Sequence, residues 1–243
     1  MKNTENKFIN SHKIDWNSEE LSKDLPADYY NNIDYNDYDQ AYIFTHDNQM
    51  VQGFLYNKNG KKLVIPEPEP SLMFFKNAEN KIDYLIKSRN SVFESMKLKN
   101  VVESRTLFRV FFSISFDFIV NLFASIEAFN NSVIPENFEF REKRKLYNRE
   151  KIQRFISFDK KTKIIVPEIF EKSFIVDFEK DFSLIESLKT NRNNLIHTKN
   201  HSDNWQTSYR NIYRNILDFK YLETYLVVKK YMNYYKSDWI QNE

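Results

Sequence analysis

The sequence predicts a mostly α-helical protein: a four- to five-helix up-and-down bundle with a small β meander on its N-terminal side. After residue 70, apolar residues recur at helical spacing, whereas residues 41–65 contain short apolar runs separated by turn residues. Between the two regions, prolines at positions 66, 68 and 70 end the β region, because they interrupt both strands and helices. We therefore expect an acidic N-terminal segment with the meander at residues 1–70 and the bundle at residues 71–243.

The meander is predicted from three strands. The first 40 residues are polar and acidic and show no sustained period. Strands are expected at residues 41–46, 50–56 and 61–65, and turns at residues 47–48 and 57–60. The second turn is predicted from the four-residue signal Asn57-Lys58-Asn59-Gly60.

Five helices are predicted after the prolines, at residues 77–98, 102–133, 141–158, 167–197 and 205–235. The second helix is long and apolar nearly all round in its middle, which indicates the central helix of a bundle. The third is strongly basic, with an apolar side formed by Leu146, Ile152, Phe155 and Ile156. The fifth has an apolar side made of Ile212, Ile216, Phe219, Leu222, Leu226 and Tyr231.

Composition excludes several kinds of chemistry. The 243 residues include no Cys, which excludes disulfides, thiolate zinc sites and a cysteine nucleophile. Only two Gly are present, which excludes a glycine-rich phosphate loop and a dinucleotide-binding fingerprint. Histidine chemistry is limited to His12, His46, His197 and His201.

Charge is unevenly distributed, although the formal net charge is only +2. Residues 15–40 contain eight acids against one Lys, and residues 141–163 contain ten basic residues against three acids. Residues 189–236 contain nine basic residues against three acids. The two basic segments are consistent with a phosphate-binding face, or with ordinary solvated helix faces.

We expect a cytoplasmic protein that makes no membrane contact. The N-terminus has no apolar core of the kind found in secretory signals. Residues 107–123 form the most apolar stretch, but they include Arg109, Asp117 and Asn121. Such residues are unfavourable in a membrane span, so this stretch is interpreted as a buried core helix.

The end of the fourth helix carries the residues best suited to chemistry. Its core-facing stripe is Phe174, Phe178, Phe182 and Ile185. Arg192 lies seven residues after Ile185 and hence on or beside the apolar face, where a guanidinium needs a partner or a polar cleft. Asn193 and His197 are four residues apart and are therefore helical neighbours.

This residue set suits phosphodiester chemistry. Histidine moves protons near neutral pH, and arginine stabilises charge on a pentacoordinate phosphorus. RNA supplies its own nucleophile, the 2′-hydroxyl, so no metal is needed. A purely structural role stays open: Arg192 pairs with Glu186 or with an acid on another helix, and His197 caps the helix C-terminus.

The run Arg192-Asn193-Asn194-Leu195-Ile196-His197, at the end of a long amphipathic helix, resembles the signature of the HEPN superfamily. That signature is an Arg, commonly followed by Asn, with a His after four to six intervening residues. The segment 125–130, which contains Glu127, is similar to a Glu-containing segment at the corresponding place in related chains. The resemblance covers roughly residues 77–235 and does not extend to residues 1–70.

The resemblance implies an HEPN-like helical bundle that dimerises, so that two copies of the motif share one cleft. It implies a metal-independent endoribonuclease without cofactors, in a toxin–antitoxin or phage-defence setting, with an antitoxin or defence-complex subunit as a partner. His197 would transfer protons, Arg192 would hold the scissile phosphate, and Asn193 would support the site geometry. Glu127 would pair with Arg192.

In this setting the basic third helix becomes a candidate RNA-binding surface. Its cations would contact backbone phosphates, and its tyrosine would stack on a base. The candidate RNA-binding residues are Arg141, Lys143, Arg144, Lys145, Tyr147, Arg149, Lys151 and Arg154.

Three alternatives compete with this hypothesis. His197 and His201 have a spacing used by zinc ligands, but no third ligand is evident. A metal-dependent nuclease would need clustered carboxylates, but Asp177, Glu179 and Asp181, although close in sequence, point to different sides of a helix. The strongest alternative is a non-catalytic helical module that binds RNA, a nucleotide or a partner protein.

Overall fold

The structure is a computed structural model that describes residues 11–13, 40–44, 49–97, 101–197 and 209–241. The described residues up to Leu72 form one compact unit, and those from Met73 onward form a second. The prediction of a mostly helical chain with a small N-terminal sheet is confirmed. The described residues contain more helical segments than the four or five predicted.

The N-terminal sheet is antiparallel, and its longest strand pairs with the three others. Its strands are β1 (Ser11–Lys13), β2 (Gln40–Phe44), β3 (Gln49–Lys58) and β4 (Lys61–Pro66). Asn59 and Gly60 form the β3–β4 turn with φ values of 54° and 80°, so the turn has two residues instead of the four predicted. Gly53 is required by close packing, because a Cβ there would lie 2.7 Å from the carbonyl oxygen of Ile65.

The remaining elements in chain order are α1 (Pro70–Glu79), α2 (Ile82–Lys97), α3 (Val101–Ser132), β5 (Phe140–Glu142), β6 (Lys145–Tyr147), α4 (Arg149–Phe155), α5 (Phe158–Lys160), a π-helical turn (Lys161–Ile165), α6 (Val166–Phe170), α7 (Phe174–Asp177), α8 (Glu179–Ile196), α9 (Tyr209–Leu217) and α10 (Tyr221–Tyr235). Only the second predicted helix, which is α3, matches one observed helix almost residue for residue.

The first predicted helix is divided into α1 and α2 by a turn at residues 80–81. Pro70 begins α1 instead of only ending the β region, because proline is tolerated in the first helical turn. Glu69 caps this helix: its carboxylate accepts hydrogen bonds from the Ser71 hydroxyl at 2.5 Å and from the Leu72 N–H at 2.8 Å.

The prediction of a continuous basic helix at residues 141–158 is wrong. β5 and β6 form a hairpin whose turn places Lys143 at φ 53°, and α4 begins only after Asn148. The Asn148 side chain accepts a hydrogen bond from the Lys151 N–H at 3.2 Å and so caps α4. The hairpin forms because Phe140 and Tyr147 pair across the strands and pack on a cluster made of Ile134, Ile152, Ile156 and Ile165.

The fourth and fifth predicted helices are also interrupted. Glu171 adopts the left-handed conformation after α6, and the long helix α8 starts only at Glu179. Residues 218–220 separate α9 from α10, and Arg89 donates to the carbonyls of Leu217 and Phe219 at this junction. Residues 205–208, where the fifth helix was expected to begin, lie outside the described residues.

α3 is the centre of the second unit, and α2, α8, α9 and α10 pack against it. Its buried side chains include Phe111, Phe118, Ile119, Leu122 and Phe129. α3 is also the one described helix that is long and apolar enough to cross a membrane by length and composition. Its packing against four helices supports the interpretation as a core helix.

The apolar side predicted for the fifth helix is only half right. Ile216, Phe219 and Tyr231 are buried, but Leu222 and Leu226 are 45% and 51% exposed. The α9–α10 break changes the rotation of α10, so that Tyr221, Tyr225 and Val228 are buried instead. The predicted stripe on the fourth helix holds better: Phe174, Phe182 and Ile185 are buried, and Phe178 is half-buried.

A buried polar chain joins α10 to α3 and to the π-helical turn. The Tyr231 hydroxyl donates to Asn130 Oδ1 at 2.8 Å, and Asn130 Nδ2 donates to Thr162 Oγ1 at 3.0 Å. Thr162 in turn donates to the Phe158 carbonyl at 2.8 Å. Burial raises the pKa of Tyr231 well above its usual value of 10.

We expect Tyr231→Phe to lower the free energy of unfolding at neutral pH by about 1–3 kcal/mol, because the buried Asn130 Oδ1 loses its hydrogen-bond donor. This loss should shrink by up to ~1.4 kcal/mol per pH unit above about pH 10, where Tyr231 ionises only in the unfolded wild type. Urea unfolding of both proteins at about pH 7 and about pH 10.5 checks this, with exposed Tyr84→Phe as the control. If the difference in unfolding free energy between the wild type and Tyr231→Phe is the same at both pH values, the prediction is contradicted.

Candidate functional site

The predicted motif lies at the C-terminal end of α8. His197 follows the last helical residue, Ile196, and its backbone N–H donates to the Asn193 carbonyl at 2.9 Å. The His197 side chain is exposed. His197 therefore lies at the partly negative end of the α8 dipole.

Arg192 is held against the central helix. Its guanidinium carbon lies 4.9 Å from the centroid of the Phe123 ring on α3. The Phe123 ring packs in turn on Phe158, with 4.6 Å between centroids. Arg192 Nη1 also donates to Asn193 Oδ1 at 3.1 Å. The side chain of Asn193 therefore positions the guanidinium, and only its backbone carbonyl contacts His197.

The acids expected to neutralise Arg192 are engaged elsewhere. Glu186 forms an ion pair with Lys163 at 2.5 Å. The expected pairing of Glu127 with Arg192 is not formed; Glu127 instead acts electrostatically on Lys161. Among the described residues Arg192 has no carboxylate partner, which leaves its charge available to an anion.

Lys161, in the π-helical turn, is a buried cation that the sequence did not single out. Its Nζ donates to Asn131 Oδ1 at 2.8 Å and to the Gln153 carbonyl at 2.7 Å. Burial lowers the pKa of Lys161, and the charge of Glu127 partly opposes that change. No sequence pattern distinguishes it from its neighbours Lys160 and Lys163, because only the fold determines which lysine is buried.

Arg192 and His197 are not hydrogen-bonded to each other. A five-residue step turns an α-helix by about 140° and advances it by about 7.5 Å. Arg192 consequently faces α3, whereas His197 is exposed beyond the last turn. Within one copy, the helix therefore does not direct both side chains to the same side.

The predicted RNA-binding cations lie on the β5–β6 hairpin and on α4, instead of on one helix. Six of these cations are exposed and form no ion pair with any described residue: Arg141, Lys143, Arg144, Lys145, Lys151 and Arg154. Arg149 is half-buried. Lys160 is paired with Glu142 at 2.5 Å, and this hydrogen bond lowers the pKa of Glu142. The hairpin and α4 thus present six exposed cations.

The aromatic residue best placed beside these cations is Phe155, and Tyr147 is less accessible. Tyr147 is half-buried and packs on the isoleucine cluster. Phe155 was expected on the apolar side of a helix but is 64% exposed, with the Arg154 guanidinium 5.3 Å from its ring centroid. Leu146 is also exposed, so only Ile152 and Ile156 of the predicted apolar side are buried.

The metal hypotheses find no further support in the described residues. Asp177 accepts a hydrogen bond from the Tyr234 hydroxyl at 2.5 Å, and Asp181 pairs with Lys230 at 2.7 Å. The described residues contain no cluster of three or more potential metal ligands. His201, and with it the His197–His201 hypothesis, lies outside the described residues.

Comparison with models of known protein families, with curated proteins and with solved structures found no match.

Proposed function

We propose that this chain is a metal-independent endoribonuclease of HEPN type that acts as a homodimer in the cytoplasm. The observation that carries the proposal is the environment of Arg192. Its guanidinium is fixed by Phe123 and Asn193, it has no carboxylate partner among the described residues, and it lies five residues before an exposed His197. The four long helices α2, α3, α8 and α10 pack into one bundle, which supports an HEPN-like fold.

In the proposed reaction, the RNA 2′-hydroxyl attacks the adjacent phosphorus and the 5′-oxygen leaves. His197 accepts the proton of the 2′-hydroxyl or supplies one to the 5′-oxygen, and Arg192 stabilises the charge on the phosphoryl oxygens. The products are a 2′,3′-cyclic phosphate and a 5′-hydroxyl. Since Arg192 and His197 project to different sides of α8, we propose that a second copy completes the site.

Purified protein incubated with single-stranded RNA in EDTA tests this proposal. We expect cleavage that EDTA does not inhibit, with products that carry 2′,3′-cyclic phosphate and 5′-hydroxyl ends. Cleavage that requires added metal would overturn the mechanism. A toxin–antitoxin or phage-defence role, with an antitoxin or defence subunit as partner, is proposed on the resemblance alone.

The second candidate is a non-catalytic HEPN-like module that binds RNA, a nucleotide or a partner protein. It is favoured by the His197 side chain, which has no hydrogen-bond partner among the described residues to orient its imidazole. RNA binding without any cleavage, at concentrations where the RNA is fully bound, would favour this second candidate.

The hairpin cations give a separate prediction. We expect the double variant Arg144→Glu/Lys145→Glu to weaken RNA binding by about tenfold or more. The slope of log affinity against log salt concentration should fall by the amount expected for the loss of roughly two phosphate contacts. Fluorescence anisotropy across a salt series measures both effects. The matched control is Lys58→Glu/Lys61→Glu, which reverses two exposed cations on the β3–β4 hairpin. Equal losses of RNA affinity in both double variants would contradict the prediction, because binding would then depend only on the net charge of the protein.

A further inference from the structure

One side of the central helix α3 is left uncovered by the bundle. α2 packs on the opposite side, where the Ser95 hydroxyl donates to Ser104 Oγ at 2.9 Å. Nine residues make two and a half turns of an α-helix, so Ser113 points away from α2. The uncovered side consists of the residues of α3 that lie within about 60° of Ser113, and we call it the Ser113 face. Its members are Val102, Thr106, Arg109, Val110, Ser113, Phe116, Asp117 and Val120.

The Ser113 face is exposed although half of its side chains are apolar. Val102 and Val110 are 80% and 38% exposed, and Phe116 and Val120 are half-buried. Only 33% of an apolar 18-residue stretch of α3 is buried. Apolar surface that continues along one side of a helix and is left in water is typical of an interaction site. The bundle therefore leaves part of its central helix available to a partner.

Two opposite charges flank Ser113 at equal distances along the helix. Arg109 lies four residues before it and Asp117 lies four residues after it, so the three side chains form one row on the surface of α3. Both charged side chains are exposed. Arg109 forms no ion pair with a described residue, and the Asp117 carboxylate has a loose pairing with Lys81, at 3.9 Å. Both charges are therefore available to a partner.

This row is complementary to a second copy of itself, because a positive, a small and a negative side chain match the same row in reverse. When rows of i±4 spacing from two helices interdigitate, the helices cross at about −50°, the commonest class of helix packing. A two-fold axis at Ser113 then places Arg109 of each copy beside Asp117 of the other. The small side chain of Ser113 allows the two backbones to approach closely at the crossing.

We propose that the Ser113 face binds a second copy of this chain, as an antiparallel pair of α3 helices across a two-fold axis. Arg109 pairs with the partner's Asp117, and Val110 and Phe116 pack on the partner's α3. The charges in the middle of the face are unfavourable against lipid, so a second copy suits the face better than a membrane does.

This interface is separate from the one proposed to complete the active site. Phe123, which holds Arg192, lies ten residues beyond Ser113, or about 15 Å along the helix. In an antiparallel pair the two copies of Phe123 lie on opposite sides of the crossing, so the Arg192 side chains stay apart. The inference therefore does not rest on RNA cleavage, and its failure would leave the proposed function untouched.

Sedimentation velocity of RNA-free protein over a concentration series tests the proposal. A single helix crossing buries less area than a standard interface, so we expect assembly that increases with protein concentration. Arg109→Asp and Asp117→Arg each place like charges opposite each other, and we expect each to halve the mass of the assembly. The mass falls from four chains to two if the active-site interface also forms, and from two to one if it does not. The double variant Arg109→Asp/Asp117→Arg should restore the wild-type mass. A wild type that stays monomeric, or a double variant that does not recover, would overturn the proposal.

Ser113→Glu is a second variant, because a residue on a two-fold axis meets its own copy and a charge there repels itself. We expect it to halve the mass as well, whereas Lys87→Asp, at an exposed lysine on α2, keeps the wild-type mass. Melting temperatures measured below the assembly concentration should be unchanged in these variants, which separates lost assembly from misfolding. An unchanged mass in Ser113→Glu, or binding of monomeric wild type to phosphatidylcholine vesicles without assembly, would overturn the proposal.

Discussion

Replacing His197 by alanine is expected to reduce RNA cleavage by about 10²- to 10⁴-fold, the usual contribution of a general acid or base. The effect should appear in kcat, with RNA affinity nearly unchanged. Because the side chain is exposed and makes no hydrogen bond to a described residue, the melting temperature should not change. Single-turnover cleavage of a labelled RNA in EDTA, together with a thermal melt, measures both quantities.

The matched control is His201→Ala, which removes a histidine four residues further along the chain. We expect full activity in this variant. In a parallel assay without EDTA, equal losses in both variants would favour a metal held by the pair. Unchanged cleavage in His197→Ala would reject the proposed role of His197. Arg192→Lys is a second test. This variant keeps the positive charge but loses the planar packing on Phe123, so we expect it to retain little of the wild-type activity.

Phe129→Ala is expected to lower the free energy of unfolding by about 3–5 kcal/mol, because it leaves a cavity at the centre of the bundle. Phe129 is fully buried on α3, and its ring lies 6.1 Å from the Tyr231 ring and 5.9 Å from the Trp239 ring, measured between centroids. Urea unfolding followed by circular dichroism should show a lower midpoint.

Phe155→Ala is the control for this prediction. The same substitution is made at a phenylalanine that is mostly exposed on α4, so stability should change by no more than about 0.5 kcal/mol. RNA affinity should fall instead, if Phe155 stacks on a base. A stability loss as large as that of Phe129→Ala would contradict the placement of Phe155 on the surface.

Local patterns in the sequence determined the helical class, α3, the β3–β4 turn and the position of the α8 motif. Each depends on neighbouring residues: a long stretch that is apolar nearly all round, a four-residue turn signal, and a motif near the end of a periodic segment. These signals are independent of how the chain packs. They also identified Arg192 as a cation on an apolar face, where it needs a partner.

Only the tertiary structure decided which partner that cation has and where the helices break. Arg192 packs on Phe123, 69 positions earlier in the chain, while Glu186 pairs with Lys163. The basic segment forms a hairpin because Phe140 and Tyr147 pack on isoleucines from the loop after α3, from α4 and its C-terminal end, and from the π-helical turn. Such choices depend on contacts between residues distant in sequence. Which of several neighbouring lysines is buried, and which partner a charge takes, are therefore properties that the local patterns in this sequence did not specify.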